Sequence, residues 1–295
     1  MRVTITGSSG LIGSALVQSL RADGHEVVRL IRREPSRSDE AQWSPADGCV
    51  DKASLEGADA VVHLAGAGIG DRPWTRAYMR RIRESRLAGT RTLAEAIATA
   101  DPRPRVLVCG SAIGYYGDTG GQEVDEKAAR GQGFLAELVR DWEAAAAPAR
   151  EAGVRVLHPR TGVVLAREGG MLGRTLPLFR LGLGGTLGDG RQWTSWISLA
   201  DEVAALRFLI DHEIAGPVNL TAPNPVTNEE YTRTLGRLLH RPARLPVPRF
   251  ALRAALRGFA DEGPLISQRV LPRRLEESGF RFAHEDVEAA IAAAL

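Results

Sequence analysis

The chain opens on a short β-branched run, Arg2-Val-Thr-Ile-Thr6, which passes directly into Gly7-Ser-Ser-Gly10-Leu-Ile-Gly13. Leu11, Ile12, Ala15, Leu16 and Leu20 then recur at helical spacing. The pattern predicts a strand, a glycine turn and a helix in that order. The same alternation continues downstream. Strands are predicted at His25–Ile31, Ala58–Gly66 and Arg105–Gly110, and helical periodicity covers about Trp74–Ala100. A second long helix is predicted over about Gly133–Gly153, with Phe134, Leu135, Leu138, Val139 and Trp142 at helical spacing, and Val154–His158 reads as the next strand. Strands separated by helices at this spacing imply βαβ units and a parallel sheet covered on both faces. The expected fold class is α/β, a doubly wound Rossmann-type sheet.

After Ala166 the pattern changes. Gly169-Gly170 and Leu181–Gly190 are glycine-rich and read as loop, followed by Trp193-Thr-Ser-Trp-Ile-Ser-Leu199 and a helix from about Ala200. Pro217–Thr221 reads as one more short strand, and Arg241–Pro248 as a proline-rich linker. An arginine-rich, mostly helical tail follows. The expected organisation is a nucleotide-binding domain over 1–240, with substrate-facing insertions mainly at 167–200 and 221–240. A small, mostly helical C-terminal domain is expected over 246–295.

The glycine turn carries chemistry. Gly7 permits the tight turn, Gly10 lets the backbone approach a pyrophosphate, and Gly13 lets helix and strand pack closely. The helix start then offers free N–H groups and partial positive charge to phosphates, through Ser9, Gly10, Leu11, Ile12 and Gly13. A dinucleotide fold ordinarily ends its second strand on Asp or Glu, which holds the ribose hydroxyls. Here the position reads Ile31-Arg32-Arg33. A carboxylate repels a 2′-phosphate, whereas a guanidinium grips it with paired charge-assisted bonds. NADP(H) is therefore expected over NAD(H), with Arg32 and then Arg33 as phosphate ligands. His63, Leu64, Ala65 and Gly66 close the next strand and are expected along the cofactor's ribose and pyrophosphate. In the long helix Met79, Ile82, Arg86, Gly89, Leu93 and Ile97 share a face. Arg86 interrupts this apolar stripe, so it needs an anionic or carbonyl partner. The cofactor, the substrate and an internal carboxylate all remain open for that role.

Composition narrows the function classes. The net charge of +2 supplies no global field for nucleic acid or membrane surfaces. All but two of the 38 basic residues are arginine, the exceptions being Lys52 and Lys127. Cys49 and Cys109 form no ligand pattern, and no metal site is expected; unpaired cysteines fit a reducing, cytoplasmic setting. No charged segment followed by an apolar run precedes the first strand, and no apolar run reaches the ~18 residues of a membrane span.

Taken together, Gly7-x-x-Gly10-x-x-Gly13, His63-Leu-Ala-Gly66, Ser111-Ala-Ile-Gly-Tyr-Tyr-Gly117 and Trp196-Ile-Ser-Leu-Ala-Asp201 follow one another as in extended short-chain dehydrogenases/reductases. More narrowly, the chain resembles the atypical "epimerase family" branch, the NAD-dependent epimerase/dehydratase type. Ser85-Arg86-x-x-Gly89-Thr90, Asp141-Trp142-Glu143, His158-Pro-Arg160-Thr-Gly162 and Ser267-Gln-Arg-Val-Leu-Pro-Arg-Arg274 carry that narrower likeness. It covers essentially the whole chain and implies a Rossmann domain with a smaller substrate region and a helical C-terminal module.

The resemblance also implies a Tyr-x-x-x-Lys pair, in which the ammonium lowers the phenol's pKa for proton transfer. This chain has none: four residues beyond Tyr78, Tyr115, Tyr116 and Tyr231 stand Ile82, Thr119, Gly120 and Leu235. Phe134 and Leu138 read as the occupants of the two slots, and Arg86 as the occupant of the family's helix asparagine. Ser111 matches a catalytic-type position, where it serves either a substrate carbonyl or nicotinamide amide, or merely the strand-end turn. Tyr115 and Tyr116 are the nearest phenols to the expected nicotinamide, as replacement acid or as packing. Arg160 is placed to contact the cofactor or an anionic substrate, or to serve structure. Two functions follow: an NADP(H)-dependent oxidoreductase or epimerase on an unidentified small molecule, or an NADP(H)-binding regulator with little turnover. Nucleic-acid and membrane partners are not expected, and the chain is expected as monomer or homodimer.

Overall fold

A computed structural model describes residues 1–295. The glycine-initiated unit is β1 (Arg2–Thr6) and α1 (Leu11–Ala22), followed by β2 (Glu26–Ile31), β3 (Glu40–Ser44), the short β4 (Cys49–Val50) and β5 (Ala60–His63). Helix α2 (Arg76–Ala98) leads to β6 (Val106–Cys109), β7 (Ser111–Ala112) and β8 (Glu123–Val124). Next come α3 (Phe134–Ala144), α4 (Ala147–Glu151), β9 (Arg155–Thr161), β10 (Val163–Ala166) and α5 (Gly170–Arg180). The chain continues through β11 (Trp193–Thr194), β12 (Trp196–Ser198), α6 (Leu199–Asp211), β13 (Gly216–Leu220), β14 (Val226–Thr227) and α7 (Asn228–Leu238). It ends in α8 (Arg249–Leu256), α9 (Phe259–Glu262), β15 (Arg269–Val270), α10 (Arg273–Glu277) and α11 (Val287–Ala294).

The central sheet has the order β13-β9-β6-β5-β1-β2-β3-β4, with β7 also paired to β9. Every pairing in it is parallel except β3 with β4. The chain moves one way from β1 through β2 and β3 and the other way from β5 outward, so the topological switch lies between β1 and β5. A crevice for ligands opens there, at the carboxyl ends of the strands.

Both faces are covered. On one, Val3, Ile5 and Val62 pack against Leu16 and Leu20 of α1 and Leu206 and Leu209 of α6. On the other, Val61 and Leu107 pack against Leu93 and Ile97 of α2 and Trp142 of α3. Covering on both faces is why β5 and β6 read as unbroken apolar runs rather than alternating ones. A third core joins Leu172 and Phe179 of α5, Trp196, Leu235 of α7 and Ile291 of α11. The last helix therefore shares its core with the region before it. No helix is long and apolar enough to cross a membrane.

Several local expectations change. The predicted helix 133–153 is two helices, broken at Ala145-Ala146 ahead of Pro148. The stretch after Gly169 holds α5, because Leu172, Leu176 and Phe179 bury one helical face that the surrounding glycines mask in the sequence. Helix α7 and strand β3 are further elements that the hydrophobic pattern does not predict. The 241–248 segment is no free linker: Leu245 N donates to Gly184 O and Val247 N to Thr186 O, lacing it to the glycine-rich loop.

Candidate functional site

The turn between β1 and α1 is built around glycine. Gly7 sits at φ +69°, and a Cβ there would stand 2.7 Å from the Leu64 carbonyl carbon. A Cβ on Gly13 would come within 2.2 Å of Gly7 O, so only glycine lets the helix start this close to the strand end. Gly10 N donates to Gly7 O at 3.0 Å, closing the turn. Gly10 is also the N-cap and supplies no side-chain acceptor, which leaves the first-turn amides of α1 free toward the crevice. Ser9 and Gly10 are exposed and Leu11 and Ile12 half-buried at this mouth.

The two arginines after β2 part company. Arg33 pairs with Glu40 at 2.6 Å and also donates to Glu34 O and Ser36 Oγ. The amide bond from Ser36 and the pair with Arg33 hold Glu40 down to about 2, so its charge is committed. Arg32 is exposed and makes no ion pair or hydrogen bond. The free guanidinium at the end of β2 is thus Arg32, beside the half-buried Ile31.

Beyond β5 the chain is pinned from several sides. Thr6 Oγ1 accepts from Leu64 N and Ala65 N and contacts His63 Nδ1 at 2.6 Å. The His63 ring lies in the core, edge-on to Trp43 with Nε2 unpartnered, so only its main chain reaches the strand end. Burial and the nearby Arg86 charge lower its pKa to about 4, keeping the ring neutral. Ser85 Oγ accepts from Ala67 N, Tyr78 OH donates to Gly68 O at 2.6 Å, and Trp74 Nε1 donates to Ile69 O at 2.8 Å. Arg86 Nη1 donates to Ala67 O at 2.8 Å, with its guanidinium 5.0 Å over Trp142 and against Gly66. It has a carbonyl partner and no carboxylate, which removes the internal ion pair from the three readings. Burial without a counter-charge lowers its pKa to about 10.

At the ends of β7 and β9 a buried polar cluster forms around Glu143, a residue to which the motifs alone assign no role. Ser111 Oγ donates to Glu143 Oε1 at 2.7 Å. Arg160 grips the same carboxylate with two bonds, Nε to Oε1 at 2.8 Å and Nη2 to Oε2 at 2.9 Å. Arg160 Nη1 donates to Tyr116 OH at 3.0 Å, and Tyr116 OH donates to Asn219 Oδ1 at 2.7 Å. Burial pulls against the Arg160 charge, but the bonds and charge of Glu143 overcome it and raise the pKa above its ordinary value. Tyr116 is pushed the other way: burial dominates and raises the phenol to about 12. Tyr115 differs from its neighbour. Its ring lies 3.5 Å from the Arg160 guanidinium carbon, its hydroxyl bonds to nothing in the protein, and it stays half-exposed.

The C-terminal motif closes this cluster. Asn219 Nδ2 donates to Leu271 O, and Gln268 Nε2 donates to Ile113 O and Gly117 O on either side of the tyrosines. Farther off, Glu262 accepts from the Phe134 and Leu135 amides and so caps α3, with Phe134 edge-on to Trp74. Phe134 packs on Trp74 and Leu138 is buried, so both contribute apolar surface and no titratable group. A signal for Glu143 existed: it follows Ala136 and Val139 on the buried side of α3, a charge in an apolar stripe like Arg86. His158 is buried with Nδ1 unpartnered, Trp196 is core, and Trp193 lies under Arg269 at 4.1 Å.

Known proteins share this fold. Residues 3–221 match the NAD dependent epimerase/dehydratase family, and residues 247–294 match a Domain of unknown function (DUF1731). An epimerase family protein of Mycobacterium leprae (strain TN) is 49% identical over 98% of this chain and 94% of its own length. The crystal structure of human epimerase family protein SDR39U1 with NADPH superposes with a TM-score of 0.91 at 35% identity, covering 100% of this chain and 99% of that one. A nucleoside-diphosphate sugar epimerase from Corynebacterium glutamicum gives 0.82 at 39% identity, covering 100% of this chain and 58% of that one.

Proposed function

The chain belongs to the NAD dependent epimerase/dehydratase family, and from that premise we propose that it is an NADP(H)-dependent oxidoreductase or epimerase acting on a small molecule. The observation that carries the cofactor preference is the free guanidinium of Arg32 at the end of β2, where an NAD-type site would place a carboxylate. The human relative solved with NADPH supports the same reading. The residues fit the group: the turn excludes side chains at Gly7 and Gly13, and the first-turn amides of α1 have no protein acceptor. The amides from Ser9 to Gly13 would hold the pyrophosphate, Arg32 the 2′-phosphate, and Leu64, Ala65 and Gly66 would line the ribose.

When bound, the dinucleotide would supply the hydride chemistry; the rest falls to this chain. Arg86, charged and without a counter-ion, offers its remaining donors to an anionic or carbonyl oxygen. Glu143 orients Ser111 and Arg160 together, and Arg160 in turn carries the Tyr115 ring. Tyr115 is the proton carrier in this scheme, because Tyr116 spends both its donor and an acceptor inside the cluster. The stacked Arg160 guanidinium holds the Tyr115 ring in place and leaves its hydroxyl free for a substrate oxygen.

Titration calorimetry tests the cofactor. Arg32→Asp is expected to lower NADPH affinity at least about a hundredfold, since it removes a charge-assisted pair and adds a repelling charge, while NADH changes little. Equal losses for both coenzymes would refute phosphate selectivity. A second reading, a dinucleotide-binding regulator, draws on one observation: the Ser111 hydroxyl is already donated to Glu143. The two part in the near-ultraviolet absorbance of the reduced nicotinamide. Oxidation with any member of a panel of sugars, ketones and enals supports the enzyme; indifference to all of them supports the regulator.

A further inference from the structure

A cleft of about 610 Å³ lies between the first turns of α2 and the C-terminal helix α8. It shares no residue with the glycine turn, with Arg32 or with the Glu143 cluster. Its walls carry three guanidinium groups, on Arg72, Arg81 and Arg257, and no carboxylate. None of the three side chains pairs with anything in the protein. Two flanking acids are committed elsewhere, Asp71 to Arg174 at 2.8 Å and Asp261 to Arg253 at 2.9 Å, and neither they nor Glu84 line the cleft. Helix α2 adds to the imbalance. Its first turn holds no acidic residue, and Arg76, Arg80 and Arg81 crowd its positive end, the reverse of the usual charge distribution along a helix. Arg257 is held at φ +55°, so its guanidinium is carried by a backbone conformation that glycine would adopt more easily. The remaining wall is apolar, from Pro73, Tyr78 and Ala254. Tyr78 is fixed by its bond to Gly68 O, which makes this wall firm.

Three unpaired arginines lining one cleft match an anion with several oxygens, because each guanidinium can present two parallel donors. We propose that this cleft is a binding site for a small phosphate-bearing anion of two or more charges, a diphosphate group above all. The apolar wall accommodates an uncharged portion of such a ligand. The site is independent of the dinucleotide reading and survives its failure.

Isothermal titration of inorganic pyrophosphate into the full-length protein at low ionic strength tests the proposal. One saturable site is expected, tighter for pyrophosphate than for orthophosphate or sulfate, and weakened by salt. Arg72→Gln, Arg81→Gln and Arg257→Gln are each expected to lower the affinity roughly ten- to a hundredfold. Arg257→Lys, which keeps the charge, is expected to lose less than Arg257→Gln. Arg244→Gln, at an exposed arginine elsewhere, is expected to leave binding unchanged. The side chains are exposed, and unchanged circular dichroism melts confirm folding of the variants. Absence of saturable heat overturns the proposal. So does undiminished affinity in the variant lacking all three arginines, and so does competition by NADPH, which would place the pyrophosphate in the dinucleotide crevice.

Discussion

Replacing Glu143 by glutamine tests the energetics of the central cluster. The Arg160 side chain is 4% exposed and that of Glu143 14% exposed, and the two are joined by bonds of 2.8 and 2.9 Å. A pair this enclosed is barely screened by solvent. The introduced amide keeps one acceptor but no charge, so the guanidinium stays buried without compensation. Breaking one side of a buried pair costs about 3–5 kcal/mol. The lower figure suits a carboxylate that retains some solvent contact, so a loss of about 3 kcal/mol is expected. For a chain of this size that corresponds to a fall in Tm of roughly 5 °C, measured by calorimetry or far-ultraviolet circular dichroism. The double variant Glu143→Gln/Arg160→Met supplies the decisive comparison. Once the orphaned charge is gone, at least half of the lost stability is expected to return, because apolar substitution of a whole buried pair is often neutral. A Glu143→Gln melt within about 2 °C of wild type, or a double variant no better than the single one, would show that the cluster does not depend on charge pairing.

Other expectations follow from the same geometry. Glu202 is fully buried with Oε2 unpartnered, and burial raises its pKa to about 8 against only a partial pull from the Thr161 hydroxyl. The folded state thus binds a proton that the unfolded chain releases above about pH 4.5, so stability is full below that pH and falls as pH rises toward 8. Glu202→Gln is expected to flatten this slope and to gain roughly 3 kcal/mol at pH 7 over wild type in urea unfolding; parallel pH profiles would refute it. Tyr116→Phe strands Asn219 Oδ1 and Arg160 Nη1, with an expected loss of about 1–3 kcal/mol, whereas Tyr115→Phe changes stability by less than about 0.5 kcal/mol. Under the proposed function only Tyr115→Phe abolishes coenzyme turnover, and retained turnover in that variant would remove Tyr115 as proton carrier. Gly13→Ala sets a methyl 2.2 Å from Gly7 O and is expected to abolish coenzyme binding and lower Tm; normal titration heat in that variant would contradict the turn geometry.

Much of the architecture was legible from periodicity alone. Buried parallel strands announce themselves as unbroken apolar runs, and the glycines at 7, 10 and 13 report a backbone approach that no side chain tolerates. Both are local properties, set by the residue and its immediate neighbours. Arg32 belongs to the same class, since its place relative to the turn is fixed by one strand and one helix. Strand β3 and helix α5 are not legible in this way, because polar residues interrupt the one and a glycine-rich flank masks the other. What only the tertiary structure decided is the fate of each charge. Arg32 and Arg33 are adjacent and the sequence offers both, Arg32 first, as phosphate ligands; Glu40 on the next strand pairs with Arg33 and leaves Arg32 free. Tyr115 and Tyr116 are adjacent too, but Asn219, 103 residues away from Tyr116, captures one hydroxyl and not the other. Ser111 and Arg160 meet through Glu143 because the sheet register sets β7 beside β9 under the end of α3. A buried charge must find its partner across the closed chain, and that pairing depends on strand register and helix docking rather than on any local pattern.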